Sequence, residues 1–68
     1  MNKSQIINAV EKSRDFTPNN LTINKFGSSY YVYCDGSYNI ETCLYVPYLS
    51  SLTLGEWVQA VNEILDTL

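Results

Sequence analysis

Apolar positions near the start of the chain repeat at helical spacing. We predict a first helix that begins after Asn2, a helix-capping residue, with Gln5 at the matching position of a capping box. Pro18 disfavours helical geometry in the residue before it, so this helix should end by about Asp15. Its stripe toward the rest of the protein consists of Ile6, Ala9, Val10 and Ser13.

The end of the chain carries a wider apolar stripe at the same period. Thr53 is placed to cap this second helix, Glu56 completes a second capping box, and Leu52 can pack on Trp57 across the helix start. A stripe this wide must be buried, and we expect Trp57 to lie in the core. The stripe consists of Leu54, Trp57, Val58, Val61, Ile64, Leu65 and Leu68.

Between the helices, three runs rich in β-branched and aromatic residues predict strands, at positions 21–26, 29–34 and 38–46. Gly27 separates the first two, and the pair Asp35-Gly36 separates the last two. Short connections favour an antiparallel meander. Residues 1–68 therefore predict one α+β domain of order α-β-β-β-α, with both helices on one face of the sheet.

The register of the last hairpin decides which side chains face the helices. A two-residue turn would mix polar and apolar residues on both faces. A three-residue loop at 34–36 would pair Val32 with Tyr38 and Tyr30 with Ile40. This register puts the apolar residues on one face and most polar residues on the other, and we favour it. The side toward the helices would then carry Leu21, Ile23, Tyr30, Val32, Tyr38, Ile40, Thr42, Leu44 and Val46.

The opposite face of the sheet would be open and rich in aromatic rings. Exposed apolar patches commonly mark contact sites, and tyrosine is enriched at interfaces. The alternative is that these tyrosines are ordinary residues of a half-solvated antiparallel sheet. The residues predicted on this face are Thr22, Asn24, Phe26, Tyr31, Tyr33, Asn39, Glu41, Cys43 and Tyr45.

Charge is distributed unevenly along the chain. The net charge is −3, and no lysine or arginine follows Lys25. An acidic segment attracts basic surfaces and repels nucleic acid, although the same charge can simply serve solubility. The candidate protein-binding residues are the aromatic residues of the open face together with four acidic residues. They are Phe26, Tyr31, Tyr33, Glu41, Tyr45, Glu56, Glu63 and Asp66.

The sequence offers little catalytic chemistry. It has no histidine and no glycine-rich phosphate loop, and its two cysteines without histidine do not make up a structural zinc site. We therefore expect a non-enzymatic protein without cofactor or metal, and with reduced cysteines. The absence of a long apolar run or signal-peptide block in the sequence leads us to expect a cytoplasmic location.

We predict a small binding domain that inhibits or adapts a larger protein with a basic surface, such as one that handles nucleic acid. By class, it compares with the small acidic anti-CRISPR and anti-restriction proteins of phages and mobile elements. The first alternative is a structural protein that self-associates through the open face or the third-strand edge.

A second alternative is an RNA-binding module. The α-β-β-β-α order is similar to that of the double-stranded-RNA-binding domain, whose second helix starts with a basic cluster. Here that position reads TLGEWVQ, which contains Glu56 and no lysine. Only Lys3, Lys12 and Arg14 of the first helix could contact phosphates, so nucleic acid is disfavoured as a partner.

Overall fold

The computed structural model describes residues 1–17, 21–34 and 40–67, except for the side chains of residues 34 and 40–42. The predicted α+β architecture is confirmed, with two helices and a three-stranded antiparallel sheet in the order β1-β2-β3. No helix in these ranges is long and apolar enough to cross a membrane. The elements are α1 (Lys3–Ser13), β1 (Thr22–Phe26), β2 (Ser29–Cys34), β3 (Ile40–Leu44), a short 3-10 turn (Leu49–Ser51) and α2 (Leu54–Asp66).

Both helices begin with the predicted capping boxes. At α1, the side-chain oxygen of Asn2 accepts a hydrogen bond from the backbone N–H of Gln5 at 2.9 Å. The side-chain oxygen of Gln5 accepts one from the backbone N–H of Asn2 at 2.8 Å. Thr53 and Glu56 make the equivalent pair at α2. These bonds satisfy amide groups that have no partner within the helix, which fixes where each helix starts.

The β1–β2 hairpin turns at Gly27 and Ser28, directly between the paired residues Phe26 and Ser29. Gly27 has a φ of 62°, in the left-handed region that glycine adopts without steric cost. The register pairs Ile23 with Val32, and both are buried. The expectation that the first strand turns Leu21 and Ile23 toward the helices is confirmed.

The predicted pairing of β2 with β3 is wrong in its offset. Val32 pairs with Thr42 rather than Tyr38, and Tyr30 pairs with Leu44 rather than Ile40. The offset is displaced by four residues, which is an even number. Because side chains alternate between faces with a period of two, an even displacement leaves each residue of β2 on its predicted face. The proposed turn at Asp35-Gly36, and Tyr38, lie outside the described residues.

One layer of core lies between the sheet and the two helices. At its centre, the Trp57 ring is fully buried, contacts the Tyr30 ring edge-to-face at 5.6 Å, and donates a hydrogen bond from Nε1 to the Leu49 carbonyl at 2.8 Å. The predicted core position of Trp57 is thus confirmed. The buried apolar residues are Ile6, Val10, Leu21, Ile23, Tyr30, Val32, Trp57, Val61, Ile64 and Leu65.

The predicted apolar stripe of α2 includes one residue, Leu54, that is not buried. Leu54 is 42% exposed because it lies in the first turn, beyond the edge of the buried layer. The core-facing part of the helix begins at Trp57, and Leu68 lies outside the described residues.

The C-terminal ends of the two helices are joined by a polar cluster around Arg14. Its guanidinium donates to the Phe16 carbonyl at 2.6 Å and to Asn62 at 3.1 Å, and it forms an ion pair with Asp66 at 3.1 Å. Asn62 also donates to the Ser13 hydroxyl at 2.9 Å. These contacts set the position of α1 against α2 where the apolar layer ends.

Replacement of Trp57 by alanine tests the centre of the core. We expect Trp57→Ala to lower the free energy of unfolding by about 3–5 kcal/mol, since it leaves a large cavity and removes the bond to Leu49. Leu54→Ala on the same helix is the matched control and should cost only about 0.5 kcal/mol because that side chain is already part-exposed. Urea unfolding followed by circular dichroism measures both, and equal losses would contradict this core.

Candidate protein-binding face

The face of the sheet opposite the helices is not covered by any described helix. Register and alternation place the exposed and half-buried aromatic side chains of β1 and β2 on it, together with polar neighbours. We call it the ring face. Its described strand members are Thr22, Asn24, Phe26, Tyr31, Tyr33 and Cys43. We count Tyr45 with them because it follows β3 directly and continues the alternation of Cys43.

Two aromatic rings of the ring face pack against each other across β1 and β2. Phe26 and Tyr31 lie edge-to-face, with ring centroids 5.3 Å apart and planes at 86°. Phe26 is nevertheless 61% exposed. A diagonal cross-strand pair of this kind holds both rings in place, so a partner would meet a preformed apolar surface at little entropic cost.

A second diagonal pair is polar and includes a residue of α1. The Asn24 amide nitrogen donates to the Tyr33 hydroxyl at 2.7 Å, and the Asn24 oxygen accepts from the Lys3 ammonium at 3.2 Å. Asn24 therefore links Tyr33 to a cation at the β1 edge of the ring face. Sequence reasoning missed the role of Lys3, since it lies 21 residues from Asn24 and no local pattern signals the contact.

Tyr45 marks the far end of the ring face, directly after β3. The Val46 amide donates to the Leu44 carbonyl at 2.9 Å, which closes a tight three-residue turn around Tyr45. The Tyr45 side chain is 86% exposed. Cys43, opposite Tyr31 in the register, is a free, part-exposed thiol.

Tyr48 is an exposed aromatic residue that the strand pattern did not single out. Its side chain is 63% exposed, and the ammonium of Lys25 lies 5.2 Å from its ring centroid. Lys25 pairs with the buried Tyr30, so this contact belongs to the helix side of the sheet. The cation contact gives the Tyr48 ring an intramolecular partner.

The predicted acidic site residues of α2 do not join the rings. Glu56 and Glu63 lie two turns apart on the exposed side of α2, while Trp57, Val61 and Ile64 of that helix are buried against the sheet. The helix and the core layer therefore separate these carboxylates from the ring face. A partner seated flat on the rings would not contact them.

The acidic side chains of α2 also make intramolecular contacts. Asp66 pairs with Arg14, and Glu63 accepts a hydrogen bond from Gln59 at 3.4 Å. The Glu56 carboxylate accepts a hydrogen bond from the backbone amide of Thr53. This bond, and to a smaller extent the interaction of the carboxylate with the Thr53 hydroxyl, lowers the pKa of the Glu56 carboxyl below its ordinary value of 4.5. Glu41 pairs with Tyr33 in the register, and its side chain lies outside the described residues.

The described side chains of the ring face are aromatic and polar, with one free thiol at Cys43. In the described ranges, no three potential metal-ligating side chains from histidine, cysteine, aspartate and glutamate come together. Comparison of the chain with protein-family models, curated proteins and solved structures found no significant match.

Protonation of Glu56 should weaken the start of α2. Because its pKa is lowered in the folded protein, the stability it contributes is present above the unfolded pKa and is lost as the pH falls through the folded value. We expect acidification below about pH 4.5 to lower the free energy of unfolding more in the wild type than in Glu56→Gln. Glutamine keeps an acceptor for the Thr53 amide and does not titrate. Urea unfolding across this pH range measures the difference, and parallel pH profiles would argue against the cap.

Proposed function

We propose that this protein is a small non-enzymatic binding domain whose ring face docks on a larger protein. The observation that carries the proposal is the exposure of Phe26 and Tyr45 on a sheet face that no described helix covers. Large apolar side chains in water are common singly, but a contiguous group of them on an ordered sheet is typical of interaction sites.

The fixed conformation of side chains on the ring face favours binding over a purely structural role. Tyr31 is fixed by Phe26, and Tyr33 is fixed by Asn24, so the face loses little side-chain freedom when a partner covers it. Tyrosine also offers a hydroxyl that can donate and accept hydrogen bonds with the partner. We assign the anchoring contacts to Phe26, Tyr31, Tyr33 and Tyr45.

The acidic residues take a different part in this proposal. Glu56 and Glu63 lie on the far side of α2, so they act on a basic partner through the long-range field and not through contact. Charges placed in this way change the association rate and its salt dependence, whereas buried anchors set the dissociation rate.

We infer that the domain inhibits or adapts its partner, because it brings an aromatic contact surface and negative charge, and its described ranges hold no cluster of metal-ligating side chains. Anti-CRISPR and anti-restriction proteins act in this manner on nucleic-acid-handling enzymes. The RNA-binding alternative has less support, since Arg14 of α1 is held by Asp66 and Asn62. A cytoplasmic location remains part of the proposal.

Truncation of Tyr45 tests the ring face without disturbing the fold. With a partner captured from a host lysate and then purified, we expect Tyr45→Ala to weaken binding at least tenfold, or about 1.4 kcal/mol. Tyr48→Ala is the matched control, as it removes another largely exposed tyrosine, from the helix side, and should leave affinity unchanged. Surface plasmon resonance measures both, and equal affinities for the two variants would refute the assignment.

The steering role of the acids has its own test with the same partner. We expect Glu63→Gln to slow association and to flatten its salt dependence, with dissociation unchanged, because Glu63 lies away from the ring face. A faster dissociation rate would show instead that the outer side of α2 is in contact with the partner.

A further inference from the structure

We propose that, in the absence of another partner, the ring face is covered by the ring face of a second copy of this chain. The pair would be a reversible two-fold dimer in which the two sheets stack and the helices lie outside. This inference goes beyond the proposed function, since it does not require any larger protein. It rests on the chemistry of the ring face, on where the charges lie, and on the area available.

The ring face is chemically complementary to itself. Its described side chains are all uncharged. The charged residues next to it, Lys3 through its bond to Asn24 and Glu41 through its pairing with Tyr33, are at the β1 and β3 edges and not on the middle strand. In a two-fold interface each surface meets an identical surface, so a charge near its centre would face its own copy. Aromatic rings avoid this conflict, because tyrosine hydroxyls both donate and accept and rings pack edge-to-face with other rings.

The placement of the acids allows two copies of a negatively charged chain to associate in this way. Stacked sheets lie about 10 Å apart, and a helix layer outside each sheet places the two α2 axes roughly 30 Å apart. Glu56 and Glu63 lie on the outer sides of those helices, farther apart still. Electrostatic screening at physiological salt acts over about 8 Å, so repulsion between the acids of the two copies is small.

The area of the ring face makes this dimer weak. Phe26 and Tyr45 are largely exposed, whereas Tyr31 and Tyr33 are already half-buried within the monomer. From the usual surface of an aromatic side chain, the four rings offer about 400 Å² per copy. Stable dimers bury about 800 Å² per copy, so we expect association only at about 100 µM and above. Such a dimer dissociates readily when a better partner binds the same rings.

The oligomeric state across a range of concentrations tests the proposal. By sedimentation velocity, we expect the 7.7 kDa chain to be monomeric at about 10 µM and to shift toward twice that mass by about 1 mM. Tyr45→Ala should move this shift to higher concentration, and Tyr48→Ala should leave it unchanged. A chain that is still monomeric at about 1 mM would overturn the dimer, yet leave the binding of a larger protein intact.

A charge exchange at Tyr31 identifies the surface that pairs. Tyr31 lies on the middle strand, opposite Asn24 and Cys43, near the centre of the ring face. A two-fold axis through that centre brings residue 31 of the two copies together. We expect Tyr31→Lys and Tyr31→Glu each to be monomeric alone and to associate when mixed, because unlike charges then meet.

The fluorescence of the buried Trp57 reports whether these variants are folded, and Tyr45→Ala gives an independent result if either is not. Association of the separate Tyr31 variants to the same extent as the wild type would show that another surface pairs, and would overturn the proposal. Loss of dimerisation in Tyr48→Ala would do the same.

Discussion

The burial of both helices against the same face of the sheet is the constraint on which the rest of this structure depends. One face of the three-stranded sheet packs against both helices, and the Trp57 ring lies at the centre of that layer, in contact with Tyr30 and hydrogen-bonded to the Leu49 carbonyl. Since α1 and α2 take up that face together, nothing in the described helices remains to cover the other. The open aromatic surface is thus a consequence of both helices packing on the same face of the sheet.

The same arrangement separates the two kinds of candidate contact residue. Rings that alternate away from the core must lie on the bare side of the sheet, whereas polar residues of α2 must lie on the outside of the helix layer. The protein therefore presents an aromatic side on the sheet and an acidic side on α2, with the core between them. This division favours rings as the contact surface and acids as a source of long-range attraction, and it makes stacking of two copies compatible with a net charge of −3.

Much of the fold could be predicted from local patterns in the sequence. The capping boxes at Asn2 and Thr53 gave the helix starts, because a cap depends only on residues three positions apart. Tyr30 and Val32 were placed correctly in the core although the β2–β3 offset was wrong by four residues. The face of the sheet on which a side chain lies depends only on whether its position in the strand is odd or even. The pairing offset of two strands depends on the length of the loop that joins them.

The sequence by itself determined the order of elements, the helix starts and which residues of β1 and β2 alternate toward the core, because these follow from periodicity and from contacts within one turn or one strand. Only the tertiary structure decided that Lys3 reaches Asn24 and that Arg14 pairs with Asp66. Those relations join residues distant in the chain. They depend on how the helix layer is set against the sheet, which no local spacing encodes.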